Sequence, residues 1–277
     1  MLEINDWPEV MKCPIERQAK DGKNYSDPDA LEEVLRKAVR ACAQVCLSRN
    51  GRIFTTLSGG LDSSLCTALI REEMGTHTTI KTITIGSSFE HPDVIHAGLV
   101  AEKLKTDHYA FVPTQEDISW AKRIKKTHPE IFLCEASDEM GGIGTLLLYY
   151  NIYIFFAAVP AVIVHDGIDE LMGGYWEHRK YTDPKQRKAS FVSLWKKLPR
   201  SHLIPLTRKA DYFSTSLLFP YLQKSVVDYI TAIPLAERTS KTESKILLRR
   251  IAEKYLPPEI IERRKLGLCH ALELPET

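Results

Sequence analysis

The sequence is poor in the features that mark specialised protein classes. Gly and Pro number 14 and 15 in 277 residues, far below the level of a disordered or fibrous chain. Six cysteines are sparse for a disulfide-stapled fold, and none has CxxC spacing, so neither a zinc ribbon nor a dithiol redox pair is expected. Cys42 and Cys46 lie four apart in a predicted helix and read as small packed apolar residues. Nine His occur without HExxH or a repeated spacing, which argues against a His-built metal centre; His91 and His96 read as surface or cap residues. The opening MLEINDWPEV has no apolar core of a signal peptide, so the cytoplasm is the expected compartment. Charge of one sign is also missing: 37 Lys+Arg face 36 Asp+Glu, a net +1, whereas a protein built to hold a nucleic-acid backbone carries an excess of cations. The basic stretches KRIKKTH (122–128) and KYTDPKQRK (180–188) read as solvated faces. One uncharged run of 19 residues, 146–164, approaches the length of a membrane span. Pro160 interrupts it, and the β-branched AVIV that follows points to a buried helix followed by a buried strand, with no membrane.

What is present is an alternation of strands and helices. Ser26 and Asp27 are cap candidates for a helix, with Pro28 at an early helical position and Leu31, Val34, Leu35, Ala38 and Val39 at helical spacing. Short β-rich runs at 52–57, 79–86, 107–113 and 161–165 are separated by helical segments at 65–74, 94–104, 114–127 and about 140–159. Strands joined by helices of that length make βαβ units, hence α/β: a parallel sheet covered by helices on both faces. Beyond Tyr175 no strand signal survives, and helices are expected at 189–197, 208–218, 221–233, 243–255 and 259–264. The expected organisation is an irregular extension (1–25), an α/β core (26–180), a helical C-terminal half completing the active site (181–270) and a tag or tail (271–277).

Two loops carry chemistry. In SGGLDSS (58–64) a strand turns into a helix, where free N–H groups and the helix dipole favour an anion. Gly59 and Gly60 let the backbone approach a phosphate, while Ser58, Ser63 and Ser64 supply hydroxyls. Asp62 would repel that anion unless a cation bridges them, so the combination points to a phosphate with Mg2+. HDGIDELMGGY (165–175) follows the fourth strand and gathers Asp166, Asp169 and Glu170 beside Gly167 and the pair Gly173–Gly174. In open parallel sheets ligands collect at the carboxyl ends of strands, where both loops fall.

SGGLDSS resembles the PP-loop of the N-type ATP pyrophosphatases, which cleave ATP between its α and β phosphates. DELMGGY is similar to the second signature of the asparagine synthetase family, and YLPPEIIERRKLGL (255–268) to that family's closing segment. The resemblance implies an ATP-dependent, AMP-forming amide ligase. The pyrophosphate end of ATP would lie in the loop of Ser58, Gly59, Gly60, Asp62, Ser63 and Ser64, with Gly167 beside it and the adenine near Leu57 and Ile85. Mg2+ would sit on Asp62 and Asp169, and Lys265 over the phosphates. Asp166 stands where the family has an active-site Glu, one methylene shorter, as proton acceptor or organiser. Leu218 and Gln223 depart from the family at positions expected to shape the substrate end of the pocket. The family's glutaminase domain is not expected, since its nucleophile is a cysteine directly after the initiator Met, and Leu2 stands there. Expected partners are a small carboxylate, aspartate or an analogue, and ammonia or an amine donor, from a separate glutaminase subunit where one exists. A homo-oligomer stays open. The alternatives are a ligase for another carboxylate in a biosynthetic or modification pathway, and a nucleotide-binding subunit without turnover.

Overall fold

The β-branched runs pair into a parallel sheet in the order β3-β2-β1-β4-β5. A computed structural model describes residues 7–17, 24–132, 139–156, 159–264, 266 and 272. Among them the strands are β1 (Ile53–Thr56), β2 (Ile80–Ile85), β3 (Asp107–Phe111), β4 (Ala161–Ile163) and β5 (Ser216–Leu218). The helices that position the site are α1 (Pro28–Asn50), α2 (Leu61–Met74), α3 (Pro92–Leu104), α4 (Gln115–Thr127), α5 (Glu139–Phe156), α6 (Ile168–Met172), α7 (Pro184–Leu198), α8 (Ile204–Tyr212), α9 (Lys224–Ala232) and α10 (Ile246–Ala252). Successive strand residues point to opposite faces. All three residues of β4 are buried, as are the first three of β1, so helices cover both sides of the sheet centre, as parallel strands require.

Local chemistry fixes the element ends. Asp27 caps α1 by accepting from Asp29 N at 3.0 Å, and Gly51 ends it in the left-handed region with its N–H on Leu47 O. Along α1, Leu31, Leu35, Ala38, Val39, Cys42, Ala43 and Cys46 are buried, one face of the helix laid on the sheet. Asn50 pins its last turn to β4, donating to Ala161 O at 2.7 Å and accepting from Ala161 N at 3.2 Å. Burial pushes the Cys46 thiol up to about 11 and Cys42 and Cys66 higher still, so these three pack as apolar groups and none is a nucleophile. His91 caps α3, accepting from Asp93 N at 3.1 Å. None of the described helices is long and apolar enough to cross a membrane.

The structure corrects the second half in one place. A helix expected over 208–218 stops at Tyr212. Ser214 turns left-handed at φ 56°, and Ser216–Leu218 pairs in parallel with Ala161–Ile163 as a fifth strand. Three residues, two of them apolar, are too few to show a period, so a buried short strand and a helix turn look alike in sequence. Among its described residues, the N-terminal extension is irregular apart from one helical turn, Trp7–Val10. It is nonetheless packed: Val10 and Ile15 are buried, and Trp195 Nε1 donates to Cys13 O at 3.0 Å. Arg238, fully buried, donates to Ile233 O, Ile15 O and Leu171 O, tying the helical half to α6 through charge-assisted hydrogen bonds.

The chain runs β1, β2, β3 outward in one direction and then returns to add β4 and β5 on the other side of β1. The point where strand order reverses therefore lies between β1 and β4, and a crevice opens there at the carboxyl ends of the strands. His165, just past β4, bridges the two strands across that point, 3.0 Å from Thr55 Oγ1 and 3.3 Å from Thr56 Oγ1. Burial holds its pKa down to about 4, against the opposing pull of Asp166. The unfolded chain therefore binds a proton that the folded chain refuses between pH 6.5 and about 4, and stability falls as the pH drops through that window. His165→Gln is expected to flatten this part of the profile by on the order of 2 kcal/mol, measured as the difference between the urea-unfolding profiles of variant and wild type at pH 7 and pH 4.5; parallel profiles would refute it.

Candidate active site

The first loop is knitted from its own hydroxyls. Ser58 N donates to Ser63 Oγ at 3.1 Å, the Ser58 and Ser63 hydroxyls lie 3.0 Å apart, and Gly60 N reaches Ser58 Oγ at 3.3 Å. Gly59 makes the bend possible: its φ is +67°, and a Cβ there would overlap the backbone of His96 and Ala97 in α3. Gly60 caps α2 without a side chain. The first-turn N–H groups of this 14-residue helix thus meet no side-chain cap, which is the arrangement that favours an anion.

Asp62, in that first turn, and Asp169, in α6, converge on one cation that the sequence reading did not single out. The Lys245 ammonium lies 2.5 Å from Asp62 Oδ2 and 2.7 Å from Asp169 Oδ1. Lys245 is buried, has a left-handed backbone (φ 55°, ψ 42°) and sits directly before α10, with its own N–H on Met172 O at 3.3 Å. A non-glycine residue in that region is strained by roughly 1–3 kcal/mol and persists where its surroundings over-determine it. Gly174 provides the space: a methyl there would overlap the Asp169 carboxylate and meet Lys245 Cε at 2.6 Å. Tyr221 braces the same turn from below, its hydroxyl donating to Asp62 O at 2.8 Å. Burial first, then Glu170 and Asp169, push the Tyr175 phenol far up; it stays neutral and donates to Glu170 Oε1 at 3.1 Å.

Two clefts meet at this junction. One of about 650 Å³ runs from Ser58, Gly60 and Asp62 past Lys245 to Arg249, Arg263 and Arg264. Arg263 Nη1 donates to Ser58 O at 2.9 Å and its other nitrogen pairs with Asp93, strapping the C-terminal segment to the first loop. The second, about 740 Å³, shares Ser58, Asp62 and Ser63 and opens toward Leu57, Ile85, Asp166 and His202. The residues expected near the adenine and the acid expected near the acyl group thus border one space. Ser64 is fully buried in α2. Gly167 caps α6 with a left-handed backbone and borders the second cleft. Leu218 is buried in β5, and Gln223 caps α9; neither borders either cleft. Lys265 lies outside the described residues.

Among the described residues no group of three or more His, Cys, Asp or Glu is arranged to hold a metal ion. Two carboxylates already gathered on one positive charge do fit Mg2+, which is bound through one or two carboxylates with substrate phosphates and water completing its shell.

The pattern of the asparagine synthase family matches residues 30–216 and 207–274. The chain belongs to that family. No curated protein sequence matches it. Among solved structures it is similar to NMN synthetase from Francisella tularensis, at 14% identity over 91% of this chain and 98% of that one, with a TM-score of 0.37.

Lys245 had one legible trait, a Lys placed directly before the apolar spacing of ILLRRIA, and nothing in the spacing says that its charge turns inward. His202 and Arg263 are likewise placed at the clefts by partners 36 and 170 residues away. Replacing the cation exposes the junction. Lys245→Met leaves the carboxylates of Asp62 and Asp169 facing each other, at a loss of about 3 kcal/mol. Millimolar Mg2+ without nucleotide is expected to raise the melting temperature of the variant more than that of wild type. An equal response in both would show that the ammonium and the metal do not share a site.

Proposed function

We propose that this chain is an ATP-dependent, AMP-forming amide ligase of asparagine synthetase type that adenylates a small carboxylate and passes the acyl group to ammonia or an amine. The observation that carries the reading is the junction itself. Two acids and a buried ammonium stand beside the uncapped start of α2, a combination suited to a polyphosphate with its divalent ion. Family membership supplies the reaction class.

On this reading the loop of Ser58, Gly60 and Ser63 and the N-terminus of α2 hold the β and γ phosphates of ATP. Asp62 and Asp169 hold Mg2+, which when bound neutralises charge on the phosphate oxygens. Lys245, released from full engagement with the two acids, stabilises the negative charge that gathers on departing pyrophosphate. Leu57 and Ile85 are nearly fully buried at the ends of β1 and β2 and offer an apolar floor for a base. The carboxylate substrate lies toward Asp166 and attacks the α phosphorus from the second cleft. Lys265 remains the proposed cation over the phosphates from the C-terminal segment. Aspartate is the first substrate to test. A different carboxylate is favoured by the short acid at Asp166, which cannot place its oxygen where a Glu would.

The deciding assay offers the protein Mg·ATP, ammonium and a panel of carboxylates headed by aspartate, and separates nucleotide products. Carboxylate-dependent AMP and pyrophosphate are expected, and Asp62→Ala is expected to lower their formation by about 100-fold or more. ADP as product would refute the assignment.

A further inference from the structure

The family's glutamate is one methylene longer than Asp166, and the structure places a second group on the short acid. His202 Nε2 meets Asp166 Oδ1 at 2.5 Å. The two come from different halves of the chain. Asp166 follows β4, and His202 lies in Pro199–Leu203, a π-helical stretch between α7 and α8. Such wide turns rotate side chains out of helical register and occur often at functional sites. His202 is half exposed and borders the second cleft, the same space that reaches Ser58, Asp62 and Ser63. The pair therefore faces the place where an acyl-adenylate would form.

We infer that His202 is the proton acceptor of the amide-forming step and that Asp166 is its positioning residue. The inference rests on the ligase reading above. Asp166 orients the ring through Nε2, which leaves Nδ1 as the basic nitrogen turned away from the carboxylate. An imidazole extends the reach of the shortened acid by a full ring. It also suits the task better, because a proton acceptor works best with a pKa near the working pH, and a carboxylate lies well below it. In the step, the lone pair of ammonia forms the C–N bond. The C–O bond to AMP breaks with its electrons left on the phosphate oxygen. The proton leaving nitrogen passes to His202 Nδ1, and the imidazolium is stabilised by Asp166. Among the described residues, the other titratable groups bordering this cleft are Asp62, Asp93, Asp169, Glu170, Glu177, Lys197, Lys209, Tyr149, Tyr175 and His165. Burial keeps Tyr149, Tyr175 and His165 neutral, so the charged described groups bordering the cleft are five acids and two lysines, with Asp166 in contact with His202.

The test separates the two half-reactions in the full chain, using the carboxylate that supports pyrophosphate release by wild type. His202→Gln is expected to lower amide formation with ammonium by about 100-fold, within the range for loss of a general base, and to lower carboxylate-dependent ATP–pyrophosphate exchange far less. Hydroxylamine, largely unprotonated at neutral pH, is expected to restore most product formation in that variant, and added imidazole to rescue His202→Ala. Equal loss in both half-reactions, or amide formation unchanged, would overturn the inference. An NMR titration of the His202 ring tests the pair without turnover: Asp166→Asn is expected to lower its midpoint, and an unchanged midpoint would overturn the positioning role. If wild type releases pyrophosphate with no carboxylate, the ligase reading falls, and the NMR result still decides the pair.

Discussion

A single buried ammonium joins the two loops on which the site depends. Asp62 arrives on the first turn of α2, Asp169 on α6, and both carboxylates lie within 2.7 Å of Lys245. Without a cation, two such acids at the ends of adjacent strands would repel each other in a partly dry pocket, and the helices carrying them would be pushed apart. Much of the surrounding sequence can be understood as making room for this contact: Gly174 leaves space for the Asp169 carboxylate, Lys245 adopts a strained backbone, and Tyr221 holds the Asp62 turn from beneath. The helical half of the chain thus contributes Lys245 and Tyr221 to a junction whose Gly- and Ser-rich loop belongs to the sheet half.

That division explains what could be read from the sequence. β1 to β4 and their intervening helices carry strong local signals: a capped start at Asp27 and Pro28, β-branched runs, and loops rich in Gly and Ser. The first chemical loop is legible for the same reason, since SGGLDSS contains its own hydroxyl network and its own acid within seven residues. β5 was not legible, because Ser216–Leu218 is a strand only by virtue of β4 beside it. Lys245, His202 and Arg263 were also hidden. Their roles arise from partners far away in the chain, and a lone cation before a helix is indistinguishable in sequence from a solvated one.

On the proposed reading, the second cleft is where this chain departs from the family pattern. A shorter acid at 166 alone would weaken a proton-handling position, yet His202 meets it from a locally widened helix. A paired imidazole and carboxylate make a base of different strength and reach from a lone glutamate, and so favour a differently placed nucleophile. Leu218 and Gln223, the other departures, are absorbed by the sheet and by a helix cap. On that reading the difference at the site is concentrated in the pair, while the side proposed for phosphate keeps the loop, the two acids and a cation.

The central claim is that the Lys245 junction is a pyrophosphate site. Titration calorimetry of magnesium pyrophosphate into the free protein tests it without knowledge of the acyl substrate. The account predicts one site per chain, competition by Mg·ATP, and an affinity reduced about tenfold or more by Lys245→Met, the scale of a lost charge-assisted contact. Binding that is absent in wild type, or equally tight in the variant, would contradict it.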